Sequence, residues 1–277
     1  MIMLLTLSSI FSSHIPGDFV KLQSEGNYCY ANALFQCLNN FNEVSEYFKL
    51  DESFTSPFDF VLRDIFLTME SDRGDTVKLI SQYNKLIGMI NNKDLDIDSY
   101  NDPLESFVFI LGYRDRDASN IRLINSASNN INIKFNYLNR LFIYETMVFE
   151  DYILIVDGLS SVQTAVEDYF QDKILAVHPQ ILVVQFVINT QLINLSDQID
   201  VQGVIYELNS YIVNENGDSR HYYSCLRNRD KIYVVDNTTI SEERKINDNG
   251  AGWHFYELKI ADLFYEGLIV LSWVAFL

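Results

Sequence analysis

Gly26-Asn27-Tyr28-Cys29-Tyr30-Ala31-Asn32-Ala33-Leu34-Phe35-Gln36-Cys37-Leu38 is the stretch on which the reading of this chain turns. Tyr30, Ala33, Leu34, Cys37, Leu38 and Phe41 recur at the i, i+3, i+4, i+7 spacing of a helix with one buried face, so the spacing predicts a helix that begins near Cys29. Cys37 belongs to that stripe and reads as a small buried hydrophobe. Cys29 lies one position off it, just before or within the first turn. There, backbone N–H groups without helical partners and the macrodipole favour an anion, and the thiolate is the nucleophilic form of cysteine.

Outward from this helix, Phe58, Val61, Leu62, Ile65, Phe66 and Met69 mark a second by the same count. A third is expected over Val77 to Ile90, and a fourth opens at Asp102 and Pro103, a capping residue followed by proline at the first helical position. Beyond about Asn120 the pattern changes to strands: Ile131 to Tyr144, Tyr152 to Val156, Ile181 to Val187, Val204 to Val213, His221 to Leu226 and Lys231 to Val235. One helix interrupts them, capped by Ser161 and carrying Val162, Ala165, Val166, Tyr169 and Phe170 as its buried stripe. Helices first and antiparallel strands later imply an α+β fold.

Two of those strands flank Arg227, Asn228, Arg229 and Asp230. If these four residues form the hairpin loop, Leu226 opposes Lys231, and counting outward His221 faces Asp236. Cross-strand partners sit about 5 Å apart at Cβ, within reach for a carboxylate to accept the imidazole N–H and orient the ring.

Composition narrows the function classes. Hydrophobic residues reach 48% and charged ones 21% over 277 residues, a balance that can bury a core and excludes general disorder. Acidic residues outnumber basic ones 38 to 20, a field that repels phosphate backbones, so no nucleic acid is expected as partner. With no repeat and no Gly/Ser-rich linker, one domain is expected over residues 1–277. Cys29, Cys37 and Cys225 include no CxxC pair, which argues against a disulfide framework and a cysteine zinc site and for a reducing, intracellular setting, cytoplasmic or nuclear. The apolar runs Met1 to Phe11 and Gly267 to Leu277 fall short of the roughly 20 residues of a membrane span, and the first has no preceding Lys or Arg to make it a signal peptide. Asp94, Asp96, Asp98, Tyr100, Asp102 and Glu105 follow the ligand spacing of a calcium-binding EF-hand loop, but Ser99 stands where the sharp turn needs Gly, and an acidic loop is the better reading. No metal spacing links His14, His178 and His254, and neither a metal nor a cofactor is expected.

Taken together, these features resemble the ubiquitin-specific protease family of papain-like deubiquitinating cysteine peptidases. Gly26 to Leu38 is similar to the family's cysteine box; Tyr206-Glu207-Leu208, His221-Tyr222-Tyr223-Ser224 and Ile232-Tyr233-Val234-Val235-Asp236-Asn237 are similar to its histidine box. Asp102-Pro103-Leu104-Glu105 resembles the Asp-Ala-x-Glu that opens a family helix, and Ile181 to Phe186 the strand before the histidine box. The resemblance implies a hand-shaped domain, with a helical thumb over about 20–113, reduced fingers and a connecting helix over 121–175, and a β-rich palm over 176–277. It implies Cys29 as nucleophile, His221 as general base and later acid, and Asp236 as the residue that orients the imidazole. The partner implied is ubiquitin or a ubiquitin-like modifier and its conjugates, cut after the C-terminal Gly-Gly. Ser24, Asn27 and Asn237 fall at oxyanion and supporting positions, and Tyr28, Asp102, Glu105 and Tyr222 at positions facing the modifier tail.

Three departures bear on activity. Ser24 stands where the family places an Asn that donates to the oxyanion, Arg220 replaces the glycine before the histidine, and Asn237 replaces a second Asp. The alternatives are therefore a ubiquitin-binding scaffold impaired in turnover, and a papain-like protease with a different protein substrate. Lacking two CxxC pairs, any fingers hairpin is expected to hold without zinc.

Overall fold

The computed structural model describes residues 19–24, 27–50, 56–91, 103, 106–107, 110, 144–146, 150–151, 154–156, 161–186, 195–215, 221–243 and 251–258. The chain opens with β1 (Lys21–Leu22), followed by α1 (Cys29–Asn39), α2 (Asn42–Leu50), α3 (Pro57–Ser71), β2 (Thr76–Val77) and α4 (Ile80–Asn91). α1 begins at the residue the apolar spacing indicated. α3 starts after Ser56, whose Oγ accepts from the Phe58 N–H at 3.2 Å, with Pro57 at the first helical position. α2 carries Val44, Ser45 and Phe48 on its buried side, and the serine in that stripe hides its periodicity.

The third expected helix needs a correction, because it starts at Ile80 rather than Val77. Val77 instead belongs to β2, which pairs in parallel with β1, and its carbonyl accepts from the Gln23 N–H at 2.8 Å. Pro103, Ser106, Phe107 and Ile110 are helical, as the reading from Asp102 and Pro103 required. Asp102 itself, the rest of the acidic loop from Asp94, Glu105, His14, both apolar ends and most of the Ile131–Tyr144 strand lie outside the described residues.

The second half contains β3 (Tyr144–Thr146), β4 (Glu150–Asp151), β5 (Leu154–Val156), α5 (Val162–Phe170), β6 (Leu175–Val177), β7 (Ile181–Phe186), β8 (Gln198–Val201), β9 (Val204–Glu215), β10 (His221–Asn228), β11 (Lys231–Asp236), β12 (Thr239–Glu243) and β13 (Ala251–Leu258). Ser161 caps α5, its Oγ accepting from the Thr164 N–H at 3.1 Å. Among the described residues the main sheet has eight strands in the order β12-β11-β10-β9-β13-β7-β5, with β8 also on β9. Only β5 and β7 run parallel within it. Helices followed by a mainly antiparallel sheet make the protein α+β.

The sheet is buried on both faces. Ile181, Val183, Ile212, Leu226, Tyr233, Val235 and Phe255 join the core formed with α1 to α4, whereas Leu182, Val184, Tyr206, Leu208, Tyr211, Val213 and Tyr256 join the core of α5. In a regular strand Leu208 would share a face with Ile212 rather than Tyr211. The register along β13 steps from Tyr256 opposite Leu208 to Phe255 opposite Ser210, leaving Asn209 as an extra residue. This bulge switches the alternation of β9 partway along its length. Among the described residues no helix is long and apolar enough to cross a membrane.

Candidate active site

Cys29 is the first residue of α1 and is 8% exposed. Tyr28 precedes the helix without capping it through its side chain; the first intrahelical bond runs from the Asn32 N–H to the Tyr28 carbonyl at 2.9 Å. The Tyr28 hydroxyl reaches across to α4 instead, donating to Asn84 Oδ1 at 2.5 Å, and its ring lies 5.6 Å from that of Tyr83. The first-turn N–H groups are thus left clear of the Tyr28 side chain, in the arrangement that favours an anion at a helix start. Cys37, two turns on, is fully buried; burial pushes its thiol well above the usual range, against a smaller opposing effect of the Ser210 side chain. Cys37 is therefore a structural thiol.

His221 Nε2 lies 3.0 Å from Asp236 Oδ1, with the two side chains 30% and 35% exposed. The pair forms, but not by the register expected from the sequence. Asn228 pairs with Lys231 and Ser224 with Val235, so the hairpin loop is the two residues Arg229 and Asp230, and Asp236 falls opposite Tyr223. Arg229 adopts φ 58°, the left-handed conformation that such a short turn demands. The register is therefore displaced by two residues. A displacement by two keeps each side chain on its face, so His221 meets Asp236 as a diagonal neighbour. An ionised carboxylate can only accept, so a proton sits on Nε2, and in the neutral ring Nδ1 keeps its lone pair.

A chain of amides ties this pair to the first turn of α1. Asp236 Oδ1 also accepts from Asn237 Nδ2 at 2.9 Å, and Asn237 Oδ1 accepts from Asn32 Nδ2 at 3.0 Å. Asn32 is 4% exposed; its Nδ2 also donates to the Leu22 carbonyl at 3.3 Å, and its Oδ1 accepts from the Tyr83 hydroxyl at 3.0 Å. Asn237 has φ 50° in the turn between β11 and β12, and its carbonyl accepts from the Leu22 N–H at 2.9 Å. The unbroken route thus runs from α4 through α1 to the His–Asp pair.

Of the remaining residues singled out in the sequence, Ser24 is half-buried just after β1 and Asn27 is exposed in the turn before α1. Tyr222 is buried in the same apolar cluster as Cys29, and its hydroxyl lies 3.5 Å from Asn214 Nδ2. Asp102, Glu105 and Arg220 lie outside the described residues. Sequence reasoning passed over Asn32 and Tyr83 as site residues. A signal existed for the first: Asn32, Gln36 and Asn40 fall at i, i+4, i+8 along α1, a polar row beside its apolar stripe.

No family model and no curated protein matches this chain. Solved structures do match. An essential yeast splicing factor aligns with TM-score 0.65 at 14% identity, covering 89% of this chain and 70% of that one. The SAGA Ubp8/Sgf11/Sus1/Sgf73 DUB module aligns with TM-score 0.63 at 14% identity, over 88% of this chain and 68% of the other. A yeast SAGA DUB module with an Sgf73 mutant aligns with TM-score 0.64 at 12% identity, over 88% and 69%. At these identities the likeness is one of fold.

Proposed function

We propose that this chain is a cysteine peptidase of the ubiquitin-specific protease type, a thiol-dependent isopeptidase that cuts after the C-terminal glycine of ubiquitin or a ubiquitin-like modifier. The observation that carries the proposal is the 3.0 Å His221–Asp236 contact, joined by amide hydrogen bonds to the first turn of the helix headed by Cys29. The fold shared with the SAGA DUB module supports it. In this reading residues 20–113 are the thumb, 121–175 reduced fingers and a connecting helix, and 176–277 the palm.

The chemistry follows from the roles. His221 Nδ1 takes the Cys29 proton as Sγ attacks the glycine carbonyl carbon. The tetrahedral intermediate collapses, the lysine amine leaves with the proton from His221, and a thioester remains on Cys29. Water, deprotonated by His221, then releases the modifier carboxylate and restores the thiol. Asp236 holds the Nε2–H throughout and stabilises the imidazolium. The Cys29 N–H and the Ser24 hydroxyl would serve the oxyanion with Asn27 beside them, and Asn237 would support Asp236. Tyr28 and Tyr222 would wall the glycine tail, and the Asp102 and Glu105 carboxylates would meet the arginines of a Leu-Arg-Leu-Arg-Gly-Gly terminus.

A second reading, binding without turnover, is favoured by Ser24 in place of the family's Asn, since loss of one oxyanion donor costs about 10²- to 10³-fold in turnover. The fold shared with a splicing factor points the same way. The deciding experiment treats wild type and Cys29→Ala with ubiquitin and ubiquitin-like modifiers bearing a C-terminal electrophile, and reads adducts by intact mass. The peptidase reading expects one modifier on wild type and none on the variant. Folded wild type that reacts with no probe but binds one of the modifiers selects the second reading.

A further inference from the structure

We infer that Asn32, held by the Tyr83 hydroxyl of α4, is a positioning residue that sets the orientation and tautomer of His221 through Asn237 and Asp236. The catalytic meaning of the inference rests on the reading of Cys29 and His221 as nucleophile and base; its geometry does not. The direction of the chain is forced at both ends. The Leu22 carbonyl can only accept, so Asn32 must turn its Nδ2 toward β1 and toward Asn237. Asn237 must then present Oδ1 to Asn32 and Nδ2 to Asp236, a carboxylate that also only accepts. With Asn237 turned the other way, two donors would face each other at Asn32 and two acceptors at Asp236.

The same logic makes Tyr83 the donor to Asn32 Oδ1. Tyr83 is 3% exposed, its ring stacks on Phe35 at 5.6 Å, and burial raises its hydroxyl well above the usual tyrosine range, so the donor persists across working pH. A hydroxyl on α4 and a carbonyl on β1 thereby determine which way the Asn237 amide faces. Asn237 in turn holds the carboxylate oxygen that accepts the hydrogen bond from His221 Nε2.

The test compares Tyr83→Phe, Asn32→Ala and Asn32→Asp by kcat and KM on a fluorogenic amide of ubiquitin and by ¹⁵N correlation of the His221 ring, with thermal melts as the folding control. The wild-type ring is expected to carry its proton on Nε2 alone, and Tyr83→Phe and Asn32→Ala to show both tautomers. kcat should fall about tenfold in Tyr83→Phe and on the order of 100-fold in Asn32→Ala with KM unchanged, as misplacement of a reacting group predicts. Asn32→Asp separates positioning from packing. Asp nearly matches Asn in shape, so a packing role makes it milder than Ala; the amide chain makes it worse, because Asn237 turns to donate to the new carboxylate and sets its Oδ1 against Asp236. If that variant fails to fold, the other two carry the comparison.

Wild-type tautomer and kcat retained in Tyr83→Phe and Asn32→Ala overturn the inference, as does a wild-type ring that already exchanges between tautomers. If wild type turns over no modifier but its His221 ring is fixed and both variants release it, the positioning role stands and the peptidase reading falls.

Discussion

Position 237 answers two demands at once. Its backbone lies at φ 50° between Asp236 and Thr239, the paired residues that close the turn, and its side chain bridges Asn32 and Asp236. Asn enters the left-handed region more readily than other residues with a Cβ, and its amide offers both a donor and an acceptor. The two demands separate by substitution. Asn237→Gly keeps the turn and loses the bridge; Asn237→Ala loses the bridge and pays the left-handed cost as well. Urea unfolding should place the Ala variant about 1 kcal/mol below the Gly variant, and on the peptidase reading both should react with a modifier probe equally slowly. Cys29, His221 and Asp236 stood out in the sequence as candidates because thiol, imidazole and carboxylate are chemically distinctive and their neighbours set their elements. Asn32 was not, since a buried amide in a helix announces nothing about what it will bond.

At the scale of elements, α1 docks on the main sheet and on the segment that leads into and forms β1 through directed bonds as well as apolar packing. Asn32 reaches Leu22 and Asn237, Gln36 Nε2 donates to the Val20 carbonyl at 2.6 Å, and Asn40 Nδ2 lies 2.8 to 3.2 Å from Asn209 Oδ1, the Asn209 carbonyl and the Arg227 carbonyl. One amide per helical turn and a strand bulge at Asn209 secure the helix that carries Cys29 against sliding or rotation. Asn40→Ala, which removes the bonds at the far end, should cost about 2 kcal/mol in urea unfolding with an unchanged m-value. The helix was legible because apolar periodicity is local. Its docking was not, because that count ignores amides. The β10–β11 loop misled for a related reason: Asn228 looked like a turn residue, yet it pairs with Lys231 while Arg229 takes the left-handed position.

At the scale of the whole molecule, Glu257 of β13 feels charge from a helix as well as from the sheet, and its carboxyl accepts from Asn209 Nδ2 at 3.0 Å. Burial, then the charges of Glu43 on α2 and Glu207 on β9, push that carboxyl up to about 7, with the Asn209 bond opposing. The folded state therefore keeps a proton that the unfolded chain has already released. This stabilisation is complete below the ordinary value of 4.5 and is lost as pH rises through about 7. Urea unfolding at about pH 5 and pH 8 should show wild type losing on the order of 2 kcal/mol more than Glu257→Gln between the two conditions. What the sequence by itself determined was local: a cysteine at the head of a helix, helices before strands, and a histidine and an aspartate on one face of adjacent strands. Register, the Asn209 bulge and the bond between Asn32 and Asn237, 205 residues apart, were decided only in the tertiary structure. A buried amide takes its partner from whatever the packed elements bring within about 3 Å, and no sequence neighbour supplies that.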